Sequence, residues 1–435
     1  MINRYLFLAH LLLILVSSCV DRYEIPDDIN SNDNTQFGAG DTTYLQIQPV
    51  WNEAYGVSQP RNISIAQDGR IFVADQGNNS ILVFDQNGDR PEGYDRLIDM
   101  RDNDGKTIYP LDVDIDKKMN IFFVEGSQKI FLWNQYWNEI GITKVSKSAS
   151  FSHSETEQDT TVNADSEIWL TLLNNQDWDL ISVNMENDQM IIDSLTNPHL
   201  FYDGGNIMNT DLDLFYQADS SKFNAISAPS DNENMIYVTD NYGGLNDQYR
   251  IIQINFHRSL MLELANGDTV WSFTGRFGST IKGFGTGAGT VNRPLSLDVD
   301  YQGNLYYTQS GDYFPAHMII PNLSGDFAVY TSGFQPGADD IMDASRFSSA
   351  QDIAADNKKS IYIVDNINRD VSVFNSYGNF FKKAGYGQDS SRIMTDPVAA
   401  TVDQNGVLYV CDRLGGGIYR FRLSNELNED IIQED

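Results

Sequence analysis

From residue 60 onward the chain alternates apolar and polar positions in short runs, each ended by a turn of Asp, Asn or Gly. Residues 60–84 show the unit most clearly: an alternating run through Ile63 and Ile65, a turn at Asp68 and Gly69, the apolar run 71–74, a polar turn from Asp75, and a third run ending at Phe84. Period-two runs of this length are strands, and turns this short join them into an antiparallel meander. Residues 397–421 repeat the unit almost position for position, with Asn405 and Gly406 in the first turn and Asp412 where Asp75 stood. Related copies begin near 110, 160, 225, 294 and 348, and the copy near 160 lacks the turn glycine. A fourth strand follows most copies, as at 269–273 and 190–195. No helical periodicity of any length competes.

Repetition of four-stranded units at this spacing predicts an all-β protein, a β-propeller of antiparallel blades occupying residues 41–424. Seven starts give seven blades; six is the alternative, reached by discarding the copy near 160. The last copy stops three strands in, at Leu423, whereas residues 43–51 form a strand that belongs to no copy. An N-terminal strand completing the last blade would close the ring and remove two open edges.

The copies starting at 60, 294, 348 and 397 resemble the NHL-repeat family of propellers. That family's consensus is close to a Pro, an Ile three residues on, a Val-Asp pair, a turn Gly, and an Ile-Tyr-Val strand closed by Asp. The glycine-rich connector 273–294 is similar to that family's inter-blade linker. The resemblance implies a propeller, and members host both enzymes and binding modules, so the site has to decide the function.

Ahead of the repeat, Arg4 precedes an apolar run over 6–16 and then Ser17, Ser18 and Cys19, the layout of a secretory signal. Val16 to Cys19 resembles the bacterial lipobox, which implies a signal peptide at 1–18 and a lipidated Cys19 as the new first residue. Two or more acyl chains there would anchor the protein, each buried methylene adding about 0.8 kcal/mol. Residues 19–40 then read as the lipidated cysteine and an acidic flexible tether, and 425–435 as an acidic tail. Acids soon after the cysteine are similar to surface-export signals of Bacteroidota lipoproteins. The expected location is the cell envelope, lipid-anchored at the outer membrane, with the periplasmic or surface side left open.

Charge narrows the partners. Lys and Arg number 29 against 61 Asp and Glu, a net charge of −32, which opposes phosphate neutralisation and excludes nucleic acid. It favours a cationic partner or a divalent ion over an anionic one. Cys19 and Cys411 are the only cysteines, so there is neither a disulfide framework nor a Cys-based zinc site.

Candidate chemistry comes from the first strand of each copy, where alternation sets Asn62, Asp112, Ser296 and Asp352 toward the axis. They would line the channel and hold a polar ligand or a cation, calcium being the ion such hard oxygens take, or else bond to neighbouring backbone and water. Asp75, Glu125, Asp240, Asp365 and Asp412 recur after the second strand and read as turn caps. His153, His199, His257 and His317 fall at unrelated points of the repeat and read as surface side chains. Lyases that resemble NHL propellers depend on positioned histidines, and none can be nominated. No serine elbow, P-loop or HExxH pattern occurs, and 102–105 is a tight turn rather than a calcium loop. Insertions at 196–222, 241–249 and 309–317 offer Tyr202, Tyr242, Tyr249, Tyr313 and Phe314 as loop aromatics suited to stacking on a sugar or peptide.

The resulting expectation is a monomeric, lipid-anchored envelope module that binds or scaffolds a protein, peptide or glycan, without a required cofactor. The alternative is a metal-dependent lyase or lactonase-type enzyme using Asn62, Asp112 and Asp352 in the axial channel. Oxygens converging at metal-binding distance would favour the enzyme. Side chains hydrogen-bonded to one another and to backbone would favour the binder.

Overall fold

The computed structural model describes residues 42–102, 105–140, 151–152, 161–162, 195–205, 221–229, 234–241, 249–263, 269–311, 313–324, 327–387 and 389–424. The signal peptide, Cys19, the tether and the 425–435 tail therefore lie outside the described residues.

Each sequence copy folds as the meander its alternation predicts. Strand β1 (Tyr44–Trp51) is followed by blade one, β2 (Pro60–Ile65), β3 (Ile71–Asp75) and β4 (Ser80–Phe84). Blade two holds β5 (Asp112–Ile115), β6 (Asn120–Val124) and β7 (Lys129–Asn134); after a two-stranded pair, β8 (Phe151–Ser152) and β9 (Thr161–Val162), it is completed by β10 (His199–Asp203). Blade three is β11 (Phe223–Ser227), β12 (Met235–Asn241), β13 (Tyr249–Glu263) and β14 (Thr269–Lys282). Blade four is β15 (Pro294–Val299), β16 (Leu305–Gln309), β17 (Ala316–Ser324) and β18 (Phe327–Ser332). Blade five is β19 (Ala350–Ala355), β20 (Ile361–Asp365), β21 (Asp370–Phe374) and β22 (Phe380–Ala384). Blade six is β23 (Pro397–Val402), β24 (Leu408–Asp412) and β25 (Gly417–Leu423), with β1 as its outer strand.

The ring has six blades, which corrects the expectation of seven. The inner strands touch in the closed order β2, β5, β11, β15, β19, β23 and back to β2. Between β5 and β11 the backbone N–H of Ile226 donates to Asp112 at 2.9 Å, so no blade can stand between them. The degenerate copy near 160 is instead part of an insertion between the third and fourth strands of blade two. Its expected strands at 168–171 and 180–183, and most of 190–195, lie outside the described residues. Among the described residues blade one has three strands, and Tyr94, Leu97, Met100 and Ile108, from the chain that follows β4, are buried in one cluster with Phe72, Val83 and Trp133.

Hydrophobic burial lies between blades. Strands β3, β4, β20 and β24 are buried throughout, as expected of strands packed on both faces. Between blades six and one, Trp51 is fully buried, 5.3 Å from the Phe84 ring and 5.7 Å from Tyr409, with the Arg420 guanidinium 4.6 Å above it.

Closure follows the predicted route. Strand β1 runs antiparallel to β25, pairing Tyr44 with Leu423 and Trp51 with Ile418. The last blade is thus assembled from both ends of the ring. Deleting residues 42–51 is expected to lower the thermal midpoint of the whole ring in one cooperative transition. The milder Trp51→Ala should cost about 3–5 kcal/mol in urea unfolding; an unchanged midpoint would show that closure does not depend on β1.

Candidate functional site

The first strand of every blade is the inner edge of its sheet, and an edge strand leaves backbone N–H groups without ladder partners. Polar side chains of the preceding blade supply the acceptors. Asp112 takes the Ile226 N–H at 2.9 Å, Asp114 that of Ala228 at 2.7 Å, Asp298 that of Ala355 at 2.7 Å, and Asp352 that of Ala400 at 2.7 Å. More weakly, Asn62 Oδ1 accepts from Val113 at 3.4 Å and Ser296 Oγ from Ile353 at 3.3 Å. Ser296 Oγ–H also donates to Asp352, and Ser64 Oγ–H donates to Asp114 at 2.6 Å. Asp112, Asp114 and Asp298 each accept a second bond from the N–H that follows them, at 2.8, 2.9 and 2.8 Å.

Of the four nominated residues, Asn62, Asp112 and Asp352 line the axial cavity, and Ser296 is hydrogen-bonded to Asp352. The nomination missed a second layer, Ser64, Asp114 and Asp298, lying two residues further along the same strands. The same alternation carries it. Asn62, Ser64, Asp112, Asp114, Asp298 and Asp352 line one axial cavity of 460 Å³, which extends to the first turns of the blades at Gln67, Lys117, Lys358 and Gln404. We call the side on which those turns lie the funnel face. Among the described residues no three acidic, histidine or cysteine side chains come together to hold a metal ion. The channel oxygens are instead shared out between neighbouring blades.

The recurrent acids do more than cap turns. Asp365 accepts from Ile367 and Asn368 in its own turn and from Ser348 and Ser349 in the linker before the blade, at 2.7 to 3.2 Å. Asp75 and Asp412 bind turn and linker in the same way. Asp240 takes Lys222 N–H and the Arg250 guanidinium, whereas Glu125, among the described residues, accepts from the Ser127 hydroxyl alone.

The loop aromatics do not converge. Tyr202 belongs to β10 rather than a loop, and is buried against Phe223 because the segment expected to be an insertion supplies the fourth strand of blade two. Phe314 is half-buried, its ring edge-on to His317. Tyr249 is half-buried too, accepting from Arg293 Nε at 3.2 Å and lying beside Phe284. Tyr313 is exposed, and Tyr242 lies outside the described residues.

No protein-family model matches the chain, and no curated protein matches it. Solved structures do. A Bacteroides thetaiotaomicron protein of unknown function aligns at 10% identity over 88% of this chain and 77% of its own, with a TM-score of 0.47. A gluconolactonase from Xanthomonas campestris aligns at 9% over 88% and 97%, TM-score 0.44. A streptogramin B lyase aligns at 11% over 88% and 98%, TM-score 0.42. This chain is a six-bladed β-propeller. That statement rests on its own sheet order and ring closure.

One histidine, His317, is buried and corrects the expectation of a surface side chain. His199 is half-buried, its ring 5.7 Å from that of Trp137 and Nε2 3.3 Å from the Phe273 carbonyl. His317 stacks on Tyr307 at 4.9 Å, accepts the Gly289 N–H at Nδ1 and places Nε2 2.9 Å from the Phe314 carbonyl. Burial lowers both to about 4, so both rings are neutral near pH 7. His257 is half-buried, and His153 lies outside the described residues.

Burial acts in the opposite direction on the axial acids. It pushes Asp298 up to about 7 and Asp352 up to about 6, with Asp114 and Asp352 repelling the Asp298 charge further. It also raises Asp114, and lifts Asp112 well above the usual carboxylate range, with Asp352 and Asp114 adding repulsion.

Asp352→Ala should leave the Ala400 N–H unpaired and cost about 1–3 kcal/mol in urea unfolding; an unchanged midpoint would show that the inter-blade bond adds nothing. The pH dependence has two opposing parts. Asp298 and Asp352 hold protons that the unfolded chain releases near 3.8, so their contribution is present at low pH and lost as pH rises through about 6 to 7. The histidines contribute above 6.5 and lose that contribution as pH falls through about 4. Asp298→Asn combined with Asp352→Asn should therefore lessen the decline of the thermal midpoint between pH 5 and 7, the raised Asp112 and Asp114 carrying what remains of it.

Proposed function

We propose that this chain is an NHL-like propeller held in the bacterial cell envelope by a lipid on Cys19, at the outer membrane, where it works as a monomeric binding or scaffold module for a protein, peptide or glycan. The observation that carries the binding role is the use made of the axial carboxylates. Asp112, Asp114, Asp298 and Asp352 each accept a backbone N–H from the next blade. A metal drawn into the channel would compete with the bonds that hold the ring. Binding on a disc face leaves that arrangement intact, and rigid blades displaying loops are a common way to present a recognition surface.

The lyase or lactonase-type reading keeps one point in its favour. Asp298 borders the cavity with its proton affinity raised to about 7, the range in which a carboxyl can act as general acid or base. Both its oxygens already accept backbone N–H groups, which favours the structural role.

Pull-down from the native envelope, with and without calcium, tests the binding role. One specific partner retained at stoichiometric yield in both conditions is the expected result. Only nonspecific capture, together with lactone hydrolysis that Asp298→Asn abolishes, would replace the binder with the enzyme.

A further inference from the structure

Holding the ring together requires acceptors at the axis but no empty space beside them. The axial cavity nevertheless measures 460 Å³ and reaches the funnel face, a size that takes a small molecule. Its charged lining is one-sided. Asp112, Asp114, Asp298, Asp352, Asp356 and Asp403 border it, against the ammonium groups of Lys117 and Lys358, and no other charged side chain among the described residues does. The imbalance has the same sign as the net charge of −32 on the whole chain, so near and distant charge both draw a cation to the mouth.

The six acids differ in what they have left to offer. A carboxylate has about four acceptor positions. Asp114 fills its own with the Ser64 and Ser227 hydroxyls and the Ile115 and Ala228 N–H groups. Asp356 and Asp403 each accept two N–H groups of their own turn and a tyrosine hydroxyl. Asp112, Asp298 and Asp352 accept one hydrogen bond at each oxygen among the described residues, although Asp112 and Asp352 are only 6% exposed. Burial holds a proton more firmly on Asp112 than on the other two. The charge open to a cation therefore lies on Asp298 and Asp352, in the adjoining blades four and five.

Those two carboxylates are staggered. Ser296 donates to Asp352, and Asp298 stands two residues beyond Ser296 on the same strand, an offset of about 6–7 Å along the channel. A single metal ion, which holds its oxygens at about 2.3–2.6 Å in the case of calcium, cannot serve both. Two ammonium groups on a short chain can. Each donates hydrogen bonds to acceptor positions still open, without displacing the N–H groups that link the blades.

We propose that the axial cavity binds a small organic dication, two ammonium groups joined by a short aliphatic chain, with one ammonium on Asp298 and the other on Asp352. Lys117 and Lys358 at the mouth oppose it and limit how tightly it is held. The site is separate from the surface that takes a protein, peptide or glycan and does not depend on it.

Calorimetric titration of the full-length protein at pH 8, where Asp298 and Asp352 are ionised, tests this with putrescine, butylamine and calcium ion as probes. Putrescine should bind one to one, butylamine about tenfold or more weakly, and calcium should not displace putrescine. Asp298→Asn should weaken putrescine about tenfold. Two exposed rim positions keep the test independent of folding, because neither side chain hydrogen-bonds among the described residues. Gln67→Lys adds a cation at the mouth and should weaken binding about threefold, whereas Lys117→Gln removes one and should strengthen it by a similar factor. Equal affinity for putrescine and butylamine would overturn the dication, and displacement by calcium would make the channel a metal site instead. Binding at many equivalent places, unmoved by all three substitutions, would be counterions on an acidic surface and would overturn it too. Envelope capture bears on the other role alone: a specific partner retained while putrescine fails removes the channel ligand and keeps the binding module, and the reverse result keeps the ligand and removes the module.

Discussion

The structure depends on how a ring of sheets satisfies its innermost strands. Each first strand has a neighbour on one side only, so its other edge faces the axis with N–H groups that need acceptors. Here the acceptors are mainly carboxylates from the preceding blade, reaching Ile226, Ala228, Ala355 and Ala400. Buried carboxylates are costly, and crowding several into one channel raises their proton affinities. The same groups therefore stitch the blades together and make the channel sensitive to pH.

This arrangement bears directly on function. Acids in a propeller channel invite a reading as a metal or catalytic centre, and their residue types alone do not separate that from a structural role. What separates them is where each oxygen points. Asp352 has one oxygen on the Ser296 hydroxyl and the other on Ala400 N–H. The turns after the second strands also vary from blade to blade, and the acid beneath them is Asp in blades one, three, five and six, Glu125 in blade two and replaced by Gln309 in blade four.

Much of the fold was legible in the sequence because a strand's alternation and its turn residues are local. First strands expected near 60, 110, 225, 294, 348 and 397 begin at 60, 112, 223, 294, 350 and 397, and the closing strand was visible as an unclaimed alternating run. The blade count was not legible. Alternation at 161–195 looks like strands wherever it occurs, and only the contact between β5 and β11 reveals that the ring passes it by. Tyr202 was misplaced for the same reason: β10 is separated from β7 by a long insertion, so its membership of blade two is a non-local fact. His317 was read as a surface group because its burial involves residues distant in sequence, Gly289 among them.

The pairing of β1 with β25 also has a mechanical side. Tyr44 and Leu423 lie together at the funnel-face end of blade six, because β25 leaves the Asp412 turn and runs back toward the first-turn side. Tension applied through the chain ahead of residue 42 enters the ring at Tyr44. A pull along the axis of β1 loads its bonds to β25 in shear, so that they share the force instead of opening in succession. Beyond closing the ring, this ladder is where such a load would pass into the disc, with Trp51 packed at its far end.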